Sequence, residues 1–326
     1  MKRQSWRRMT ALAVTAALIL VTPALALFGK QAEPAAAEGA PIAKELEVRT
    51  YRNIPYHAQF LATDNEGDDV TYAVSAEPKH GTVTVNGAEF TYTPKKNKTG
   101  SDTFSYVATD ASGHASAPAT VSVTVDKTKS GVTYADLNGN SAAAAAQQLA
   151  EEGIFTGARI GDQYFFEPER TVSRGQFLAM TMKAAGLDAT EVSMTGFSDD
   201  QAIPTWAKAY AAAGLSDGVV QGKHTADGVA FCADDAVTYN EAAAILNRVL
   251  SVSDVNLTAW YADRSAVPSW AAQAVGNMES VNVMAVGSFG SGTLDRSVTR
   301  ADAAQMLSAA KTLLDGKPVG LFDWIS

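Results

Sequence analysis

The sequence predicts a multi-domain protein with an all-β sandwich in its N-terminal half and an all-α region of three repeats in its C-terminal half. Residues 43–126 contain short runs rich in Val, Thr, Phe and Tyr that alternate with period two, as half-buried strands do. Beyond residue 133, alanine-rich stretches with apolar residues at helical spacing replace that pattern. A short phrase, apolar-Ser/Thr-x-x-acid or amide, occurs there three times, which indicates internal repeats.

The first 26 residues have the pattern of an export signal. A basic start precedes the apolar run at 11–21 and an Ala-Leu-Ala sequence at 24–26 that fits a cleavage site. The apolar run is short for a membrane span, although an uncleaved anchor stays open as an alternative. Residues 27–42, rich in Ala, Glu and Pro, predict a flexible linker. We therefore expect a secreted protein with no membrane segment after cleavage.

The net charge limits which partners the protein can bind, and the cysteine content limits how the fold can be stabilised. The chain has a net charge of −9, and loss of the four basic residues of the export signal leaves −13. So acidic a chain argues against nucleic acid or an anionic membrane as its main partner. Cys232 is the only cysteine, so no intramolecular disulfide can form. Stability must come from ordinary hydrophobic cores.

Within the predicted sandwich, the clearest local signal is the Asn86-Gly87 pair in the run GTVTVNGAEFTYTP. This pair is favoured in two-residue type I′ turns. A turn there pairs Val85 with Ala88 and places the apolar residues of both strands on one face. About seven strands over residues 43–126 predict two packed sheets.

Several short motifs of this region form a recognisable set. They lie at Thr63-Asp64, His80–Val83, Phe90–Pro94, Gly100–Tyr106 and Thr109–Gly113. The set resembles the cadherin-like and Ig-like modules of bacterial surface proteins. Some such modules bind calcium between repeats, so the resemblance implies a candidate calcium site in this region.

The calcium candidates are the acidic residues Asp64, Asp68, Asp102 and Asp110. Carboxylates are suitable calcium ligands, but calcium needs six or more converging oxygens. The alternative is that these residues cap turns in solvated loops, and we prefer it because one isolated module has no neighbour to complete the site. We expect no other cofactor.

The repeats follow a short linker at 127–132. Their predicted bounds are 133–188, 196–252 and 260–315, and a tail at 316–326 ends the chain. Each repeat opens with an aromatic residue, a small residue and an aspartate, followed seven residues later by a tryptophan in the second and third repeats. The aspartates are Asp136, Asp199 and Asp263, and the tryptophans are Trp206 and Trp270; the first repeat has Ala143 at the tryptophan position.

The second helix of each repeat begins at a predicted capping box, with Ser173, Thr238 and Thr299 as the caps. In the third box Asp302 is short for the return bond to the cap. Arg174 and Arg300 occupy the first helical position, where the helix dipole disfavours a cation. Either each arginine pairs with a carboxylate, or its guanidinium and the exposed helix N–H groups together bind an anion.

Taken together, aromatic-x-Asp, Pro-x-Trp-Ala and a Thr-Arg-Ala-Glu-like helix start resemble the S-layer homology module, here in three tandem copies over roughly residues 132–315. The resemblance implies a three-pronged helical bundle that binds an anionic, typically pyruvylated, secondary cell-wall polysaccharide in grooves between the prongs. It implies an address at the bacterial cell wall or surface layer, where self-assembly is a further implied property.

The resemblance also assigns roles to individual residues. The arginines would contact the acid, and the tryptophans would pack at the grooves, although a core position is slightly preferred for an indole. The three aspartates would accept sugar hydroxyls or cap the first helices. Tyr239 replaces arginine in the second copy, so that groove is expected to lack its cation. The ligand-binding candidates are therefore Arg174, Arg300, Trp206, Trp270, Asp136, Asp199, Asp263 and Tyr239.

No motif indicates an enzyme. The sequence GLSDG at 214–218 fits Gly-x-Ser-x-Gly, but a nucleophile elbow needs a preceding strand, and here a helix is predicted. The four histidines show no metal-binding spacing. We expect a non-enzymatic wall-anchored protein with the sandwich as spacer or display module. The alternatives are an adhesin whose sandwich binds a carbohydrate or protein and, less favoured, a wall-active hydrolase.

Overall fold

The computed structural model describes residues 39–64, 69–260, 267–284 and 294–316, which belong to one compact unit. The predicted export signal, most of the 27–42 linker and all but the first residue of the predicted tail lie outside the described residues. So do the calcium candidate Asp68 and the ligand candidate Asp263.

The N-terminal half of the described chain is a β-sandwich. Its strands are β1 (Ile42–Ala43), β2 (Leu46–Tyr51), β3 (Tyr56–Gln59), β4 (Ala62–Thr63), β5 (Thr71–Ala76), β6 (Gly81–Asn86), β7 (Glu89–Pro94), β8 (Gly100–Thr109) and β9 (Ala119–Asp126). One sheet has the order β2-β9-β8-β5, with β2 and β9 parallel; the other has the order β3-β7-β6. The two sheets enclose an aromatic-rich core in which Phe60 stacks on Phe90 and Tyr106.

The β6–β7 hairpin corrects the predicted register. The central turn residues are Gly87 and Ala88, so that Val85 pairs with Phe90 rather than with Ala88. Gly87 has φ of 61°, whereas Ala88 is not among the residues with positive φ, which rules out the predicted type I′ turn. The register differs by two residues, an even number, so the predicted faces survive and Phe90 is buried.

The C-terminal half is helical with two small hairpins. Its helices are α1 (Ala143–Glu151), α2 (Arg174–Ala184), α3 (Thr205–Ser216), α4 (Tyr239–Leu250), α5 (Leu257–Trp260), α6 (Ser269–Ser280) and α7 (Arg300–Gly316). The hairpins pair β10 (Ala158–Ile160) with β11 (Gln163–Phe165) and β12 (Lys223–Thr225) with β13 (Gly228–Ala230). Helix α1 packs on α7, α3 on α2 and α6 on α4, while α2, α4 and α7 contact one another.

A ring of three hydrogen bonds joins the starts of α2, α4 and α7. The amide of Val172 donates to the carbonyl of Val298 (3.0 Å), that of Val298 to Val237 (2.8 Å), and that of Val237 to Val172 (3.0 Å). All three valines are buried. The three capped phrases therefore meet at one point with approximate threefold symmetry, because each amide donates to the preceding repeat and the first repeat donates to the third.

The sandwich packs directly on the first repeat. Every residue from Ala143 to Ala150 is buried, since α1 lies between α7 and strand β2. The carboxylate of Glu151 accepts the amides of Lys129 (2.7 Å) and Ser130 (2.9 Å), which fixes the segment predicted as a linker. A helix buried on all sides needs an apolar circumference, and the alanine-rich sequence of α1 provides it.

Candidate functional site

All three predicted capping boxes are present at the helix starts. Ser173 accepts the amide of Gln176, and Thr238 accepts the amide of Glu241, with the return bonds also formed. The third box corrects our expectation, because the Asp302 carboxylate does reach the amide of Thr299, at 2.9 Å. These boxes hold the helix starts at the centre of the bundle.

The helix amides are not available to a ligand. The amide of Arg174 donates to the carbonyl of Asp235, and that of Arg300 donates to the carbonyl of Arg170, both at 2.8 Å. The next amide of α2, that of Gly175, donates to the carbonyl of Ala233 (2.9 Å). The predicted contribution of exposed helix N–H groups to an anion site is therefore wrong, because neighbouring repeats already satisfy these donors.

Both arginines at helix starts form ion pairs within the protein. Nη1 of Arg174 lies 3.0 Å from Oε1 of Glu241, and Nη1 of Arg300 lies 2.7 Å from Oε2 of Glu167. Each arginine side chain is only 9% exposed. Of the two explanations that the sequence left open, ion pairing is the one observed, and the accessible charge must come from other residues.

A more exposed cation accompanies each helix start. Lys223 lies 3.1 Å from the same Glu241 oxygen that contacts Arg174, and its side chain is 39% exposed. Arg170 lies 3.0 Å from the Glu167 oxygen that contacts Arg300, and its side chain is 58% exposed. Burial acts against the charge on Lys223, but the hydrogen bonds to Glu241 and Asp235 and the charge of Glu241 together outweigh it and raise the pKa of Lys223.

The start of α4 in the second repeat, where Tyr239 replaces arginine, also has a cation beside it. Arg296, three residues before Thr299, places its guanidinium 4.0 Å from the centroid of the Tyr239 ring and donates to the Tyr239 hydroxyl. Its side chain is half exposed and pairs with Asp302 at 3.2 Å. Our expectation that this groove lacks a cation is wrong, because the third repeat supplies a cation that the second repeat lacks.

Sequence reasoning missed these three cations. A signal for two of them exists, since Arg170 and Arg296 occupy the same repeat position, three residues before the capping residue, where the second repeat has Asp235. Lys223 lies in the β12–β13 hairpin, and only the fold brings it to Glu241.

The two tryptophans are exposed rather than buried in the core. Trp206 is 49% exposed and Trp270 is 60% exposed. A side chain added at Gly175 would come within 3.4 Å of the Trp206 ring, so this indole lies against the start of α2 beside Arg174. Trp270 has the equivalent position on α6, which packs on α4. The preferred core position for the indoles is therefore wrong.

The repeat aspartates bind backbone amides. Asp136 accepts the amides of Phe166 (2.9 Å) and Glu167 (2.7 Å), and Asp199 accepts those of Phe231 (2.7 Å) and Cys232 (2.8 Å). Both carboxylates thus hold the turn that precedes a second helix. They neither cap the first helices nor present both oxygens to a sugar, because the turn amides occupy them.

Two of the calcium candidates also accept hydrogen bonds from backbone amides. The buried carboxylate of Asp102 accepts the amides of Lys79 and His80 and the hydroxyl of Tyr92. Burial favours the neutral acid, but these bonds outweigh it and hold the pKa of Asp102 below its ordinary value. Asp110 accepts the amide of His114 at 2.8 Å. Among the described residues, no group of three His, Cys, Asp or Glu side chains could hold a metal ion.

Ser216 and Cys232, the two nucleophile candidates of the helical repeats, lie in surroundings that do not favour a nucleophile. Ser216 of the GLSDG sequence is the last residue of α3, so a helix and not a strand precedes it. Burial raises the pKa of the Cys232 thiol, which disfavours the nucleophilic thiolate.

Comparison with known proteins identifies the sandwich. Residues 38–124 match the family model of the bacterial Ig domain. The Ig-like part of our expectation is confirmed. No curated protein matches the chain. A bacterial Ig domain indicates an extracellular or surface protein, and no helix in the described residues is long and apolar enough to cross a membrane.

Solved structures resemble parts of this chain at low similarity. A variant of an endo-fucoidan hydrolase of glycoside hydrolase family 107 is 21% identical over 28% of this chain and 14% of its own, with a TM-score of 0.23. The sialic acid binding region of a Streptococcus sanguinis adhesin is 18% identical over 31% of this chain and 32% of its own (TM-score 0.21). A mutant of the SrpA adhesin from Streptococcus sanguinis is 17% identical over 37% and 82% (TM-score 0.22). Similarities of this size do not bear on function.

Proposed function

We propose that this is a non-enzymatic bacterial surface protein whose helical repeats bind an acidic secondary cell-wall polysaccharide, and that the Ig domain is a spacer or display module. The repeats act as S-layer homology modules in this proposal. The expected acid is a pyruvyl carboxylate on the sugar.

One observation carries the proposal. Exposed indoles lie on the first helices of the second and third repeats, and Trp206 lies against the start of α2, which Lys223 accompanies as an exposed cation. The start of α4 has an exposed cation too, Arg296. An indole offers an apolar platform for a sugar ring, and an ammonium or guanidinium binds a carboxylate. The chain as a whole is strongly acidic, so these cations must act locally against the overall field.

The first repeat differs in a way that fits this assignment. Its tryptophan position is Ala143, which is buried where the Ig domain and α7 pack on α1. An indole at that position would have to fit into an occupied interface. The first helix of this repeat therefore serves the junction between domains, and the glycan contacts fall to Trp206 and Trp270.

The experiment uses the full chain, because removal of the Ig domain would expose α1. Purified bacterial walls are incubated with the protein before and after acid extraction of the secondary polysaccharide. Co-sedimentation with native walls and not with extracted walls is expected. A Trp206→Ala, Trp270→Ala double variant should lose binding, whereas Met194→Ala, which removes another exposed apolar side chain, should retain it. Binding that persists on extracted walls, or in the double variant, would contradict the proposal, and released sugar fragments would indicate an enzyme.

A further inference from the structure

The outer edge of strand β6 has no partner strand among the described residues. Strand β6 pairs with β7 on one side, and the order β3-β7-β6 places it at the end of its sheet. Its sequence, GTVTVN, contains no charged residue and no proline, and its pairing with β7 is continuous over all six residues. A regular, uncharged edge of this kind is a template for the addition of another strand.

The other three edges of the two described sheets are protected. Strand β2 packs against α1, and strand β3 is four residues long. Strand β5 has a bulge between Val74 and Ala76, where its register against β8 shifts. Short strands, bulges and covering helices are means by which proteins prevent edges from pairing. The β6 edge has none of these protections.

Apolar side chains beside the β6 edge are also accessible. Val85 is 39% exposed, and Val83 is partly buried. Together with Tyr72 and Val74 of β5, these valines line an open groove between the edges of the two sheets, the β5–β6 groove. A strand that pairs with β6 and carries apolar residues on the same face would cover this groove.

The two ends of β6 carry charges of opposite sign. Lys79 precedes the strand, and Lys95 follows β7 at the same end, so that two exposed lysines outweigh the nearby Glu77 there. At the other end, Asn86 pairs with the exposed Glu89. An antiparallel pair of β6 edges brings the basic end of each copy beside the acidic end of the other, whereas a parallel pair brings like charges together.

We propose that two copies of this protein associate through their β6 edges, which pair antiparallel and join two three-stranded sheets into one sheet of six strands. Thr84 lies on the twofold axis and faces Thr84 of the second copy, and Val83 faces Val85. This register keeps the valines of both copies on the side of the β5–β6 groove, because residues that face each other in an antiparallel pair point to the same face. It also pairs valine with valine rather than with Gly81.

This association is a property of the Ig domain and does not depend on glycan binding by the repeats. One pair of short strands buries little surface, so we expect a weak, concentration-dependent dimer. Sedimentation equilibrium of the full chain should show an apparent mass that rises from one chain towards two as the concentration increases. A mass of one chain at every concentration would overturn the proposal.

A charge placed on the twofold axis tests the edge. Thr84→Lys sets two like charges directly opposite each other and should raise the dissociation constant at least about tenfold. Thr103→Lys is the matched control, because it makes the same exchange at an exposed threonine of β8, a central strand of the other sheet. An equal effect of the two variants would overturn the assignment to β6. Thermal unfolding verifies that both variants are folded.

Cysteine cross-linking tests the register. In Thr84→Cys, two thiols face each other across the twofold axis, and oxidation with copper phenanthroline should link them as a disulfide. Thr82→Cys lies on the same face of the same strand but faces Asn86, so it should link far less. The unmodified protein, with Cys232 as its single cysteine, gives the background. Equal linking of the two variants would overturn the register.

Charge reversal tests the complementarity of the two ends. Glu89→Lys and Lys95→Glu should each weaken the dimer, because each brings like charges together across the pair. The double variant Glu89→Lys, Lys95→Glu should recover most of the association, since it exchanges the two signs. A double variant as weak as the sum of the single ones would contradict an antiparallel pair. Because no wall glycan enters these experiments, their outcome is separate from that of the proposed function.

Discussion

The carboxylate of Glu241 and the guanidinium of Arg174 form a buried ion pair at 3.0 Å between the starts of two successive repeat helices. Glu241 also closes the capping box of α4, so one side chain serves a helix cap and a contact between repeats. The arginine that looks misplaced at a helix start is thus a bridge to the next repeat. Its charge is compensated across the interface rather than within its own helix.

Because of this ion pair, we expect Arg174 to contribute mainly to the stability of the fold. Arg174→Ala should lower the free energy of unfolding by about 3 kcal/mol, because it breaks a buried ion pair and leaves a void at the helix start. Chemical denaturation measures the change. Arg159→Ala, whose pair with Asp162 is exposed, should stay within about 0.5 kcal/mol of the parent. Equal effects of the two variants would contradict the structural role of Arg174.

Replacement of Lys223, in contrast to that of Arg174, should affect wall binding more than stability. Its side chain is 39% exposed, so Lys223→Ala should cost at most about 1 kcal/mol of stability. If the proposed function is right, wall binding should fall by roughly tenfold, because one charge-assisted contact to the glycan acid is lost. Quantitative wall co-sedimentation provides the measurement. Lys183→Ala removes an exposed lysine of α2 and should leave binding unchanged; a matching loss there would point to general charge rather than to the groove.

Asp102 should make the Ig domain sensitive to acid. Its pKa is depressed in the folded protein, so its contribution to stability is present above its unfolded pKa of about 4 and is lost as the pH falls through the lower folded pKa. Asp102→Asn should destabilise the neutral protein by about 2 kcal/mol, since amide and hydroxyl donors lose a charged acceptor. The difference from the parent should shrink in acid. Glu77→Gln, an exposed change, should leave the pH profile of unfolding as it is.

Gly81, at the start of β6, has no room for a side chain because the Tyr92 ring packs against it. A Cβ at this position would lie 2.3 Å from the Tyr92 ring, which is fully buried and hydrogen-bonded to Asp102. Gly81→Ala should therefore cost about 1–3 kcal/mol by overpacking. At Gly87, where a Cβ meets open space and φ is positive, Asn should be tolerated far better. Thermal unfolding of both variants tests this, and a neutral Gly81→Ala would mean that the Tyr92 ring can move aside.

Local patterns predicted the elements of the fold but not all of their details. Period-two alternation placed Phe90 on the buried face, and this survived a register error because the error was even. Capping spacing located the starts of α2, α4 and α7. The sequence does not predict the return bond of Asp302, because aspartate is one methylene shorter than glutamate and its reach to the Thr299 amide depends on the actual geometry of the cap.

The sequence by itself determined the strand and helix types, the threefold repetition and the residues at the helix starts, because these follow from periodicity and from interactions a few residues apart. Only the tertiary structure decided which charges meet. Arg174 joins Glu241, Arg300 joins Glu167, and Arg296 lies on Tyr239, each across repeats separated by dozens of residues. Ionic pairing depends on distance in space, and that distance is fixed by how the repeats close around their central ring.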